Sequence, residues 1–188
     1  QPGSFTHMTE FFGPLLAVMN AKNLPEAIRL VNQTGYGLTS GIESLDDREQ
    51  ELWLEEVQAG NLYVNRVTTG AVVLRQPFGG MGKSAFGPGI KAGGPNYVAQ
   101  LMDFEECSDP EASSSMMDPQ LDLLRERLQG ITDLPEGVTR EEVSRVVAAI
   151  GSYDLNVRKE YGEVHDHFRL VGQDNLRRYR PLREIRIR

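Results

Sequence analysis

The first apolar run, Pro14 to Met19, is short and unbroken, bounded by Gly13 and Asn20. An uninterrupted run of that length predicts a strand covered on both faces, entered by residues that run straight into it without a capped start. Asn23 then reads as a helix cap with Pro25 in the first turn, and Ala27, Ile28, Leu30 and Val31 as the helix's inner face. Leu38 to Ser44, after Tyr36 and Gly37, predicts a second strand. Asp46 to Ala59 is rich in Glu and Gln, carries Leu52, Trp53 and Val57 at helical spacing, and stops at Gly60 as a helix does at a C-terminal glycine. Asn61 to Asn65 predicts the third strand. Strands alternating with helices imply right-handed crossovers onto a mostly parallel sheet, which places the first part in the α/β class.

The pattern changes after Asn65. From Arg66 to Pro95 no periodicity is sustained, and glycine recurs at positions 70, 79, 80, 82, 87, 89, 93 and 94. So long a loop in a compact domain carries function or is disordered. Ser108 to Met117 is small, polar and Pro-containing, as linkers are, so the expected organisation is a first domain over 1–107, a linker over 108–117 and a smaller region over 118–188. That last region predicts a helix from Asp118 to Gln129. A second helix, opened by the capping-box spacing of Thr139 and Glu142, is expected to run to about Tyr161. Ile185 to Arg188 alternates like a strand.

Charge removes several classes of function. Among 188 residues, 20 Lys and Arg face 27 Asp and Glu, a net charge of -7. That balance gives no general attraction for nucleic acid or anionic membrane. No run approaches the roughly 18 consecutive apolar residues that cross a bilayer. The single cysteine, Cys107, excludes an internal disulfide framework and suits a reducing compartment, so the expected location is the cytoplasm. The chain does not begin with Met, and a fragment of a longer protein is expected.

Several motifs fail on inspection. Gly79 to Ser84 looks like a phosphate loop, but the first glycine should lie five residues before Gly82, where Pro77 has no amide to donate. No dinucleotide glycine fingerprint opens a helix directly after a strand. Cys107 is flanked by Glu105 and Glu106, whose charge raises a thiol pKa, so a bland thiol is the better reading. His7, His165 and His167 specify no triad. The His165-Asp166-His167 triplet is weakly metal-like, but structural roles are favoured for all three histidines, and a strand with one polar face is favoured for the terminal arginines.

What remains is a set of segments in fixed order: Glu10 to Pro14; Asn32, Thr34 and Tyr36 to Leu38; Gly60 to Arg66; and Gln76 to Gly80 with Gly82 and Ser84. In this order and spacing the chain resembles the carboxyl-terminal half of the catalytic domain of aldehyde dehydrogenases over residues 4–105. Thr69 to Val73 before Gln76 to Gly80, followed by Lys91 to Tyr97, is similar to the 1-pyrroline-5-carboxylate (L-glutamate γ-semialdehyde) dehydrogenase branch. The form in bifunctional proline utilization A is the most similar. More loosely, Gly172 to Asn175 and Arg178 to Pro181 resemble the carboxyl-terminal extension of longer members.

The resemblance implies roles residue by residue. Glu10 matches the glutamate that binds the nicotinamide ribose, and Phe12 the aromatic beside the nicotinamide, with core packing as the other reading of Phe12. Gly70 and Ala71 match the loop whose backbone amides hold the substrate's α-carboxylate. Phe78 matches a residue lining the aldehyde's aliphatic chain, and Asn65 and Arg66 read as loop-positioning. NAD is the implied cofactor, with FAD as well where a proline dehydrogenase domain precedes in the parent polypeptide. The implied partners are the small aldehyde, the rest of the parent polypeptide and further copies in a homo-oligomer. In the family a cysteine thiolate attacks the aldehyde, hydride passes to NAD, and a glutamate-activated water hydrolyses the thioester. That cysteine belongs upstream of Glu10, so Cys107 cannot stand in for it and no catalytic residue is expected in this chain. The alternative is a non-catalytic module that mediates assembly or covers the active site.

Overall fold

A computed structural model describes residues 1–70, 72, 75–86, 90–105 and 118–181. Ala71, Cys107, the expected linker and the expected strand at Ile185 to Arg188 lie outside the described residues. The chain forms two compact units, Gln1–Met102 and Asp103–Arg188.

The first unit runs α1 (Phe5–Met8), α2 (Leu24–Gln33), β1 (Tyr36–Gly37), β2 (Thr39–Ile42), α3 (Asp47–Glu56), β3 (Asn61–Val64), β4 (Met81–Gly82) and a short 3-10 turn (Val98–Leu101). Local chemistry starts both main helices. The Asn23 side chain accepts from the Glu26 amide at 2.9 Å with Pro25 in the first turn, and Asp46 accepts from the Arg48 amide at 2.9 Å. Helix α3 is the crossover between β2 and β3, which pair in parallel from Thr39 opposite Asn61 to Ile42 opposite Val64. Ile28 from α2 and Trp53, Val57 and Ala59 from α3 and its exit form the core. Leu62 and Val64 pack on it from below. Burying Trp53 to 4% exposure removes an aromatic surface that dominates such a small core.

Some expectations fail, each for a physical reason. Pro14 to Met19 is not a strand: Leu16 is 87% exposed, and no described residue pairs with the run. Apolar composition prepares a strand, but only a neighbouring strand supplies the ladder that makes one. The entry to that run is a single helical turn, α1, instead of extended chain. The two pairings are also mixed, because β1 pairs with β4 antiparallel, Tyr36 opposite Gly82. Val31 and Leu52 lie on solvent-facing positions. Their neighbours Ile28 and Trp53 take the inward faces of the two helices.

The second unit has α4 (Pro119–Gln129), α5 (Arg140–Asn156) and a wider π turn (Val157–Tyr161) that replaces the last part of the expected helix. The capping box forms in full: the Glu142 amide donates to the Thr139 hydroxyl at 3.2 Å, and the Thr139 amide to the Glu142 carboxylate at 2.8 Å. The Thr139 amide, foremost, holds the Glu142 carboxyl below its ordinary value. Buried Asp154 receives the Asp118 amide at 3.0 Å, tying the start of α4 to the end of α5, and its other oxygen meets Arg158 at 2.7 Å. Past the π turn, His165 and Arg177 exchange backbone hydrogen bonds at 2.8 Å. The two rings of His165 and His167 stack 5.6 Å apart, and Glu160 gathers Arg177 at 2.9 Å and the Tyr179 hydroxyl at 3.2 Å.

Candidate active-site loop

Strand β3 is covered on both sides, and this positions the candidate site. With side chains alternating across the strand, Leu62 and Val64 face the helices while Asn61 and Tyr63 face the segment Gln76 to Gly79. The loop leaves the C-terminal end of β3 at Asn65, whose backbone is left-handed at φ 54°. Asn tolerates that conformation, and its side chain bonds Ser44 twice at 2.9 Å, receiving the amide proton and donating to the carbonyl. Arg66 then lies over the Tyr63 ring, 5.1 Å from its centre. Both residues directly follow β3.

The loop returns antiparallel to β3. Gln76 donates to the Tyr63 hydroxyl at 3.1 Å; buried Asn61 donates to the Pro77 carbonyl at 2.9 Å and receives the Gly79 amide at 3.1 Å. Phe78, half-buried, exchanges backbone bonds with Ala92 at 3.0 and 2.9 Å. Lys91 completes the clamp by donating to the carbonyls of Gly60 and, at 3.0 Å, Gly79. Burial lowers the Lys91 ammonium to about 8. The glycines are needed here because a Cβ on Gly60 would lie 1.8 Å from the Gly79 carbonyl oxygen. Farther on, the Ser84 hydroxyl receives the Gly37 amide at 3.1 Å, joining the glycine-rich segment to β1.

The sites expected from sequence fall in two places. Phe78 lies in the segment Gln76 to Gly79 that is held against β3, and Gly70 lies earlier in the chain between β3 and that segment. Gly70 adopts φ 81°, a backbone conformation that calls for glycine, and no atom of the described residues lies within 4 Å of where a Cβ would stand. Glu10 and Phe12 lie in the bent chain after α1. Phe12 is 99% exposed in this chain, and its ring offers open faces. Among the described residues no hydrogen bond or ring contact joins Glu10 or Phe12 to the loop. His7 links α1 to α2: its Nδ1 receives the Gly3 amide and its Nε2 donates to the Leu30 carbonyl, both at 2.9 Å. Asn61 and Lys91 were not singled out from the sequence. Asn61 had a signal, a polar residue at an inward strand position; Lys91 had none beyond its glycine-rich surroundings.

The aldehyde dehydrogenase family model matches residues 1–106, which hold the whole frame. The chain belongs to the aldehyde dehydrogenase family. It is 48% identical over 95 residues to the bifunctional protein PutA of Escherichia coli strain K12, covering 50% of this chain and 7% of that protein. To the 1-pyrroline-5-carboxylate dehydrogenase of Geobacillus sp. strain WCH70 it is 41% identical over 108 residues, 57% of this chain and 21% of that enzyme. The solved structure of proline utilization A from Corynebacterium freiburgense matches with TM-score 0.77 and 43% identity, over 97% of this chain and 17% of that one. That likeness takes in the second unit as well as the first. The chain spans less than a quarter of the length of each of these relatives.

Family membership gives the frame a meaning that hydrogen bonds alone do not. Three of the stretches by which the sequence resembles aldehyde dehydrogenases supply the contacts that fix one segment: Asn61 at the start of β3 and Asn65 just past its end, Gly60 and Gly79 at the close crossing, Ser84 at β1.

Proposed function

We propose that this chain is the carboxyl-terminal part of an NAD-dependent dehydrogenase that oxidises L-glutamate γ-semialdehyde, formed from 1-pyrroline-5-carboxylate, to L-glutamate in proline catabolism. Its share of the site is the substrate-carboxylate anchor and two cofactor contacts. The observation that carries this reading is the loop held against β3, with glycine in a left-handed conformation at position 70 and Phe78 fixed by its bridge to Ala92.

Gly70 and Ala71 present backbone amides to the α-carboxylate, since only small residues let the chain come close to an anion. Phe78 lies against the aliphatic chain of the aldehyde. Glu10 accepts from the ribose hydroxyls of the cofactor, and the open ring of Phe12 sets the face of the nicotinamide. The donor set fits NAD: among the described residues, a carboxylate without competing partners and an aromatic that is 99% exposed. When bound, NAD supplies the hydride acceptor. FAD belongs to the proposal only where a proline dehydrogenase domain shares the polypeptide, and no residue here is assigned to it.

The nucleophilic thiolate comes from elsewhere in the polypeptide, because Cys107 follows every family segment. The chain of residues 1–188, purified alone, is therefore expected to produce no NADH from the semialdehyde, while the polypeptide that joins it to the cysteine-bearing part does. Turnover by the isolated chain comparable with an intact dehydrogenase would contradict this. A second reading concerns residues 118–188, which among the described residues hold two helices and the Glu160 cluster and no catalytic set: assembly of copies, or cover for the active site. Deleting residues from Ser108 onward in the longer polypeptide is expected to change its assembly size while the chemistry survives. Unchanged size would count against it.

A further inference from the structure

Two carbonyl oxygens that face one point repel each other, and a backbone amide, with a single proton, cannot give each a bond of its own. An ammonium group can, having three donors and a full positive charge. Gly60 approaches Gly79 so closely that it has no room for a side chain, since a Cβ there would meet the Gly79 oxygen at 1.8 Å, and a Cβ on Gly79 would sit tightly against Lys91, 3.1 Å from its Cα. Nζ of Lys91 sits at that convergence. The neighbouring backbone is tied in as well, since Ala92 pairs with Phe78 and the Gly94 amide donates to the Lys91 carbonyl at 3.0 Å.

The geometry points to Lys91 as a positioning residue for the substrate loop: by drawing the Gly60 and Gly79 carbonyls together it sets the height of Phe78, and of the loop behind it, over β3. This rests on the reading of that loop as the substrate anchor. Asn61 fixes the same turn from the side, through Pro77 and the Gly79 amide, but is uncharged. Lys91 therefore supplies the part of the clamp that depends on protonation, and burial brings its loss of charge within reach, at about 8. Deprotonation leaves donors in place but exchanges two charge-assisted bonds for neutral ones of roughly half the strength.

The test uses the longer polypeptide with Lys91→Met and Lys91→Arg. Hydrogen exchange is read at the amides of Phe78 and Gly79 and, as a control, in α2 and α3. Lys91→Met is expected to raise exchange at the two loop amides at least tenfold with the helices unchanged, and Lys91→Arg to restore most of the protection. Kinetically, Lys91→Met should raise KM for glutamate semialdehyde about tenfold while KM for NAD stays within twofold. Wild-type KM for the semialdehyde should rise as pH passes about 8, relative to Lys91→Arg measured on the same substrate, so that titration of the substrate cancels. Unchanged loop protection in Lys91→Met overturns the inference whatever the substrate proves to be. Equal rises in both KM values, or identical pH dependence of wild type and Lys91→Arg, overturn it too, and the last comparison decides if Lys91→Met does not fold. A wild-type enzyme that ignores the semialdehyde but loses loop protection in Lys91→Met would instead remove the substrate assignment and leave the clamp.

Discussion

At Gly60 the chain has no freedom of side chain at all. Gly60→Ala places a methyl group inside the Gly79 carbonyl and 2.9 Å from Lys91 Nζ, so β3 and the loop must separate. The expected cost is about 2–3 kcal/mol in urea unfolding, at the upper end for overpacking, because the obstacle is backbone. Asn65 is graded more finely. Asn65→Ala loses two hydrogen bonds to Ser44 and keeps a left-handed backbone that alanine resists, for an expected loss of about 2 kcal/mol; Asn65→Gly, which relieves the backbone, should lose about half of that. If the two variants unfold alike, the backbone conformation is not what Asn65 provides. These two residues also show how far single residues could be read. Asn65 reads as loop-positioning only through the family resemblance, and its left-handed backbone and bonds to Ser44 are the features such a role would use. Lys91 is a lysine among glycines, and its two acceptors lie 31 and 12 positions away, beyond any local pattern.

Elements divide along the same line between local and distant causes. Helices α2, α3, α4 and α5 begin at Asn23, Asp46, Asp118 and Thr139, each with a side chain accepting from its own first turn. Such caps involve residues two or three apart, so the sequence displays them directly. Thr139→Ala is expected to lower the stability of the second unit by about 1 kcal/mol, and Thr139→Ser by much less, measured as the urea midpoint of the α4–α5 helical signal. The run Pro14 to Met19 lies on the other side of the line. Its apolar character is legible and its partner is not, since a ladder needs a second strand that no residue spacing announces. Leu16→Lys in the isolated chain should change stability by less than about 0.5 kcal/mol, as for other exposed positions. In the longer polypeptide the same change should greatly reduce the folded yield if that run is covered there, and an unaffected yield would leave the run a surface segment in both settings.

Across the whole molecule, the family was legible because its segments recur in order along residues 1–106. The second unit carried weaker signals. Its capping box could be read, whereas the Glu160 cluster joins groups from the π turn to Tyr179 and could not. Burial works to raise the Glu160 carboxyl, but hydrogen bonding and charge from Arg177, aided by Tyr179 and His165, hold it below its ordinary value of 4.5. A carboxylate held low stabilises the fold above its unfolded value and loses that contribution as pH falls through the folded one. Unfolding of the second unit is therefore expected to sharpen below about pH 4.5 in wild type and to be flatter there in Glu160→Gln, which starts from lower stability at pH 7. Parallel acid profiles would remove Glu160 from the account.

The central claim is that the loop over β3 recognises a carboxylate-bearing aldehyde. Its most direct test is Ala71→Leu in the longer polypeptide, comparing kcat/KM for glutamate γ-semialdehyde with that for an uncharged aliphatic aldehyde. The account predicts that selectivity for the semialdehyde falls at least tenfold, through its KM, while the uncharged aldehyde is nearly unaffected. Equal losses on both substrates would contradict it.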